Sequence, residues 1–278
     1  MLMKKSVNMQ GYILYRDECI LVLHLIQKTC RGEILMKKLN LKNRKGQKGF
    51  TLVELAVVMI IVGLLIGGIL KGQELITNAQ VASTITQAQG LDAAVSTFRD
   101  SYRALPGDMA NPGVRLPNCN AAPCNIANAA PDGRIATAPD AVVAAGSEAQ
   151  RFFVHLAAAE LITGVQNQND VIFGSGLPET SIGGGGYVVG YAPAGGLGNN
   201  GTASGGHYLS IREAAAAPSA GNGPLTAAQA ARIDAKMDDG SSDTGSVFTF
   251  DGTCEAAAGV YDEGGNPDGC YLFVRIQG

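Results

Sequence analysis

Lys48-Gly49-Phe50-Thr51-Leu52-Val53-Glu54-Leu55 opens the stretch that decides how this chain is read. From Phe50 to Leu70 the sequence runs FTLVELAVVMIIVGLLIGGIL, in which only Thr51 and Glu54 are polar. Twenty-one residues in a helix, at about 1.5 Å each, extend about 31 Å, the thickness of a bilayer's hydrocarbon core. A carboxylate in such a segment costs about 2.5–3.5 kcal/mol to insert, so Glu54 asks for a functional reason. A secretory signal has an apolar region of only about 7–15 residues and a small-x-small cleavage site, and neither fits here. No cysteine borders the run, which also argues against a lipoprotein signal.

Charge changes sign at the same place. Residues 1–49 hold 11 Lys/Arg and 3 Asp/Glu, whereas the rest of the 278-residue chain holds 10 and 21. The overall charge of −3 is thus a basic leader at +8 and a remainder at −11. Lys37, Lys38, Lys42, Arg44, Lys45 and Lys48 all precede the apolar run, so the positive-inside rule keeps that end in the cytoplasm and exports the chain beyond Leu70. An acidic exported part is a poor electrostatic match for nucleic acid.

Glycine, then phenylalanine, then glutamate at a fixed offset, with a basic leader before and a membrane-length helix after, resembles the prepilin signature of type IV pilins and type II secretion pseudopilins. The resemblance covers Gly49, Phe50, Glu54 and the apolar helix, roughly the first 30 residues of the exported chain. It implies cleavage after Gly49 by a prepilin peptidase, methylation of the new Phe50 amine, and assembly of subunits through the apolar helices. Phe50 and Glu54 stand at i and i+4, on one helix face, and a carboxylate in a first turn suits the helix dipole. Paired with the Phe50 amine of a neighbour, Glu54 would select the axial register between subunits. The peptide Met36-Lys37-Lys38 onward is a compact leader of the kind this resemblance implies, and residues 1–35 are expected to be an over-called start.

The expected organisation is a leader, 1–49; a transmembrane and filament-core helix, 50–71; and an exported domain, 72–278. Leu75, Ala79, Ala82, Ile85, Ala88, Leu91, Val95, Phe98 and Tyr102 continue the helical period as one apolar stripe, which predicts a single helix to about Tyr102, stopped by Pro106-Gly107. The rival is a break near Gly72. Ser147-Glu148-Ala149-Gln150 and Thr226-Ala227-Ala228-Gln229 read as capping boxes opening helices to about Ile162 and Met237. Strands are expected at Tyr187–Tyr191, His207–Ile211, Val247–Phe250 and Tyr271–Ile276, forming an antiparallel sheet covered by the long helix. The Gly-rich stretch from Gly183 to Gly206 reads as a loop. The fold class is α+β.

Cys119, Cys124, Cys254 and Cys270 lie in the exported part, and an even set there reads as two disulfides. Three connectivities are possible; proximity favours Cys119 with Cys124 and Cys254 with Cys270. The latter pair encloses 15 residues, and the region resembles the disulfide-closed surface loop of many type IV pilins. Zinc competes for these thiols, but Cys-x4-Cys with no His nearby in sequence fits its usual spacings badly.

Other constellations carry less. Gly196-Leu197-Gly198-Asn199-Asn200-Gly201 spells G-x-G-x-x-G without the strand before and helix after that a dinucleotide needs, so it reads as a loop. His155 and His207 have no partner at triad spacing. Asp238, Asp239 and Asp243 offer oxygens that suit calcium, without the spacing of an EF-hand; solvated helix-end acids are the simpler reading. The sequence therefore predicts a structural subunit and not an enzyme, with no cofactor and no nucleic-acid partner. Its partners would be the prepilin peptidase, other subunits and the bacterial inner membrane, from which it would enter a pilus or a secretion pseudopilus. The competing class is a membrane-anchored periplasmic binding domain or enzyme that never polymerises.

Overall fold

The computed structural model describes residues 51–197, 203–265 and 267–276. The basic leader, the Met36 start, Gly49 and Phe50 lie outside the described residues. Helix α1, Leu52–Tyr102, is one unbroken element of 51 residues, about 77 Å at the standard rise. There is no break at Gly72. Within residues 61–102 the helix changes character along its length. Leu64, Leu75 and Ile76 are more than half exposed, whereas Val81, Thr84, Ile85, Ala88, Leu91, Ala94, Val95 and Phe98 are buried. The dry face therefore begins at Val81, six residues later than the sequence stripe suggests, and Leu75, Ala79 and Ala82 are solvent-facing. The helix stops at Arg103, which takes a left-handed φ of 49° and donates its N–H to the Arg99 carbonyl at 2.7 Å. This C-terminal turn precedes Pro106, so the stop is made by the backbone at Arg103.

The single-turn α2, Pro112–Arg115, comes next. It is succeeded by α3, Glu148–Ala158, and α4, Ala227–Met237, both started by side-chain caps. At α4 the capping box is complete: Thr226 Oγ1 accepts the Gln229 N–H and Gln229 Oε1 accepts the Thr226 N–H. At α3 only half of it forms. Ser147 Oγ accepts the Gln150 N–H, but Gln150 Oε1 takes the Gly146 N–H at 2.6 Å instead. Helix α3 is also shorter than the sequence suggests, because Glu160 turns left-handed at φ 59° before Leu161 can extend it.

Strands β1 (Gly186–Ala192), β2 (Gly206–Arg212), β4 (Val247–Phe248) and β8 (Leu272–Ile276) form an antiparallel sheet in the order β1-β2-β8-β4. All four lie where β-branched and aromatic residues place them; the third is two residues shorter than expected. Four short strands are not legible in the sequence: β3 (Leu225–Thr226) pairs with β7 (Asp268–Cys270), and β5 (Glu255–Ala257) with β6 (Val260–Tyr261). The outer edge of β1 is covered, since the Tyr187 and Tyr191 N–H groups donate to the carbonyls of Pro178 and Thr137, which blunts an edge that could recruit another chain.

The sheet is apolar on both faces. Tyr187, Val189, Leu209, Ile211, Leu272 and Val274 join the α1 and α3 residues in the main core. The alternate positions Tyr208, Phe248 and Phe273 form a second cluster with Tyr271, capped by Leu197 and Ala203 from the connection between β1 and β2. The Gly-rich stretch between Gly183 and Gly206 is thus more than a plain loop, because part of it is a lid over aromatic side chains. Tyr187 ties sheet to helix directly, its hydroxyl donating to the Thr84 carbonyl at 2.8 Å.

Candidate functional site: the apolar helix and its first turn

Residues 51–60 are the described part of the N-terminal compact unit. Every one of them is exposed, with Leu52 at 85% and Val53 at 69%. Among the described residues, α1 is the one helix long and apolar enough to cross a membrane, with mean hydropathy 2.7 over its most apolar 18-residue window and none of that window buried. An apolar surface of this extent in contact with water would be strongly unfavourable. It calls for an apolar partner.

The first turn gives Glu54 a role that sequence reasoning missed. Glu54 Oε2 accepts the Thr51 N–H at 2.8 Å and the Thr51 hydroxyl at 2.9 Å, while the Glu54 N–H donates to Thr51 Oγ1 at 3.2 Å. This is a reciprocal capping box, Thr-x-x-Glu, of the same kind that opens α4. Two amide groups that would otherwise be orphaned at the helix start are satisfied inside the segment. The spacing of Thr51 and Glu54 carries the same signal as that of Thr226 and Gln229. Among the described residues, these contacts engage Glu54 through Oε2.

The other candidate residues lie away from this turn. Cys119 is joined to Cys124 and Cys254 to Cys270. The second disulfide fastens β7 to the residue before β5. His155, which has no sequence neighbour among the cysteines, is brought beside the first pair: its Nε2 lies 2.9 Å from the Cys124 carbonyl oxygen and its Nδ1 2.9 Å from the Gly107 N–H. That arrangement requires the neutral ring, with Nδ1 accepting and Nε2–H donating. Burial pushes its pKa down to about 4. Cys119, Cys124 and His155 offer ligand atoms within 4.8 Å of one another, but the thiols are spent in the disulfide and both ring nitrogens on backbone. Gly107 can meet the ring because it lacks a side chain; at φ 82°, a Cβ there would stand 2.4 Å from the Glu148 carbonyl oxygen.

The acidic group is rearranged relative to the expectation. Asp234, Asp238 and Asp239 converge, each offering an oxygen within 4.8 Å of the others, while Asp243 stands outside that group. Asp238 accepts the Ser246 and Val247 N–H groups, Asp239 the Ser241 N–H and Thr244 hydroxyl, and Asp234 the Tyr261 hydroxyl. These carboxylates hold the loop after α4 in place. Burial, opposed by the Tyr261 hydrogen bond, raises the Asp234 pKa to about 6. Of the G-x-G-x-x-G stretch, Gly196 and Leu197 are described, and Leu197 is a buried part of the aromatic cluster's cover; Gly198, Asn199, Asn200 and Gly201 lie outside the described residues. His207, buried on β2, has its ring centroid 5.3 Å from that of Tyr191.

Comparison with family models singles out the same N-terminal region. Residues 44–70 match the family model of the prokaryotic N-terminal methylation motif. A fimbrial protein of Moraxella nonliquefaciens is 42% identical over 74 residues, 26% of this chain and 48% of the relative. A fimbrial protein of Neisseria meningitidis serogroup B and the type IV major pilin protein PilE of Neisseria gonorrhoeae are each 39% identical over 69 residues, 24% of this chain and 41% of the relative. The matches thus span less than half the length of these relatives. No solved structure matches the chain. The chain is thus similar to fimbrial and type IV pilin proteins over about a quarter of its length.

Proposed function

We propose that this chain is the structural subunit of a type IV pilus or of a pilus-like secretion pseudopilus, cleaved after Gly49 by a prepilin peptidase, methylated on Phe50, and polymerised through the apolar half of α1. The observation that carries the reading is the wholly exposed apolar stretch of α1, headed by a capped first turn, within the matched N-terminal methylation motif. Before assembly that surface is solvated by lipid, with the basic leader on the cytoplasmic side of the inner membrane and residues 72–278 in the periplasm. After assembly, packed helices of other subunits replace lipid. The contact between copies is head to tail and does not close, the symmetry that generates filaments.

Glu54 then has two tasks. Its Oε2 closes the capping box, and its carboxylate receives the Phe50 amine of a neighbouring copy. Burial of either charge alone is unfavourable, so the pair selects one register. The two disulfides and the double-faced sheet stabilise the exported domain, with no catalytic task. Nothing in this role requires a cofactor.

The test is the location of the subunit in cells. With the prepilin peptidase present, the protein is expected in filaments sheared from the cell surface or, for a pseudopilus, in filaments formed on overproduction of the system. In a strain lacking the peptidase it is expected only in the inner membrane with the leader attached. A subunit that stays in the membrane in both strains, or leaves it uncleaved, would refute the proposal.

A further inference from the structure

The folded domain carries an arginine-lined cleft and, apart from it, a group of acidic side chains. At the C-terminal end of α1, Arg99 and Arg103 are exposed and line a cleft of about 490 Å³ with Ala104, Leu105 and Gly133. Arg134 stands next to Gly133, its guanidinium carbon 4.9 Å from the Tyr191 ring centroid, and Arg115 donates to the Tyr102 carbonyl at the end of the helix. Asp100 also lines the cleft, so two guanidinium-bearing residues and one carboxylate share it. Neither Arg99 nor Arg103 pairs with an acid; among the described residues the ion pairs are Lys71 with Glu74 and Arg151 with Glu148.

The complementary surface is built from the loop after α4 and the β5–β6 hairpin. Asp238, Asp239, Asp243, Glu255, Asp262 and Glu263 reach solvent there at least in part, with Lys236 as the cation at the end of α4. The two segments are fastened together by Ser242 donating to Glu255 at 2.6 Å and Tyr261 to Asp234 at 2.8 Å. Arg232 of α4 donates to Asn78 of α1 at 3.0 Å. Asn78 precedes Arg99 by 21 residues, about 31 Å along the helix. The helix that leads into the acidic loop therefore touches α1 near the start of its buried half, and the arginine cleft lies at the other end of that half.

We infer that the arginine cleft at the end of α1 is an intersubunit docking surface whose occupant is the acidic loop and hairpin of a second copy of this chain. The inference rests on the filament reading proposed above and names the contact it uses between exported domains. A domain that carries an arginine cleft and a separate acidic surface can pair with another copy of itself through the two. Such a contact is head to tail and open-ended. It is the electrostatic counterpart of the apolar helix packing, and it supplies register and orientation more than adhesion.

The full-length chain, present as the sole copy in a host with its assembly machinery, tests this by charge exchange. Arg99→Glu with Arg103→Glu, and separately Asp239→Lys with Glu263→Lys, should each lower the yield of sheared filaments about tenfold or more, with unchanged subunit levels in the inner membrane. Combining all four should bring the yield back to within about twofold of the original. Doubles that assemble normally, or a quadruple variant no better than the doubles, would overturn the contact. So would loss of attachment to anionic surfaces at unchanged filament yield, which would assign the arginines to another partner. Should a double variant reach the membrane poorly, Arg103→Cys with Glu263→Cys in intact filaments is the second measurement: a ladder of disulfide-linked subunits on a non-reducing gel supports the contact, and monomer alone overturns it. An unsubstituted chain that forms no filaments would remove the filament reading itself; wild-type filaments indifferent to these charges would remove only this contact.

Discussion

Glu54→Gln separates the two tasks assigned to this residue. Glutamine at the third helical position closes a capping box as glutamate does, and the chain already uses that chemistry where Gln229 Oε1 takes the Thr226 N–H at 2.9 Å. The substitution therefore keeps the three contacts of 2.8, 2.9 and 3.2 Å that join Thr51 and position 54, and removes only the charge. Glu54→Leu removes both. Losing the cap costs about 0.5–2 kcal/mol of helix stability at the first turn. Leaving a neighbour's Phe50 amine buried without its counter-charge costs about 3–5 kcal/mol, which shifts an assembly step by more than a hundredfold. Insertion into the membrane should be as good or better for both variants, because the buried carboxylate is gone, and cleavage after Gly49 is untouched. Both should accumulate as cleaved subunit in the inner membrane and be nearly absent from sheared filaments, with immunoblots of the two fractions as the assay. If Glu54→Gln as the only copy assembles at normal yield while Glu54→Leu does not, the capping box is the whole function of Glu54 and the register argument is wrong.

Other perturbations address the folded domain that follows the apolar helix. Cys254→Ser should destabilise it by about 3 kcal/mol and Cys119→Ser by about 2 kcal/mol, the order set by loop length, read by denaturant unfolding of each variant; full alkylation of native, unreduced protein would contradict both. Phe98 is fully buried, with its ring centroid 4.7 Å from that of Tyr102 and 6.5 Å from that of His155, so Phe98→Ala should cost about 3–5 kcal/mol while leaving cleavage after Gly49 intact. His155 is held neutral, its pKa lowered to about 4; the unfolded chain takes up the proton first, so up to about 3 kcal/mol of stability, complete above about pH 6.5, is lost as pH falls toward 4. Asp234, raised to about 6, acts oppositely: the folded state holds the extra proton, so its contribution is present below about pH 4 and is lost as pH rises through 6. Asp234→Asn should expose a steeper loss of stability on acidification between about pH 6.5 and 4, and His155→Gln a gain over the same range; equal pH profiles for both variants would refute these assignments.

The local parts of this fold are legible in the sequence because their signals are local. The period of the apolar residues indicates one helix to Tyr102, and aromatic and β-branched clusters mark the four main strands to within two residues. The features that escape depend on partners distant in sequence. Strands β3 and β7 hold two and three residues, too few for any alternation, and exist because each finds the other. His155 meets the Cys124 carbonyl across 31 residues, so a histidine with no cysteine near it in sequence becomes part of the cysteine-rich corner. The start of the dry face at Val81 instead of Leu75 reflects where the domain begins to cover the helix, which composition does not encode. In the candidate site, the apolar helix and its acid are plain. The Thr51–Glu54 box obeys the same spacing rule as the other caps, yet an acid in an apolar run draws attention to its charge before its hydrogen bonds.

Intact mass and N-terminal fragmentation of the subunit purified from filaments sheared off cells test the filament role most directly. The expected species is a chain beginning at Phe50, carrying one methyl group on its α-amine, with Cys119, Cys124, Cys254 and Cys270 oxidised. A mature protein that begins at any other residue, or a Phe50 amine without the methyl group in assembled filaments, would contradict that role.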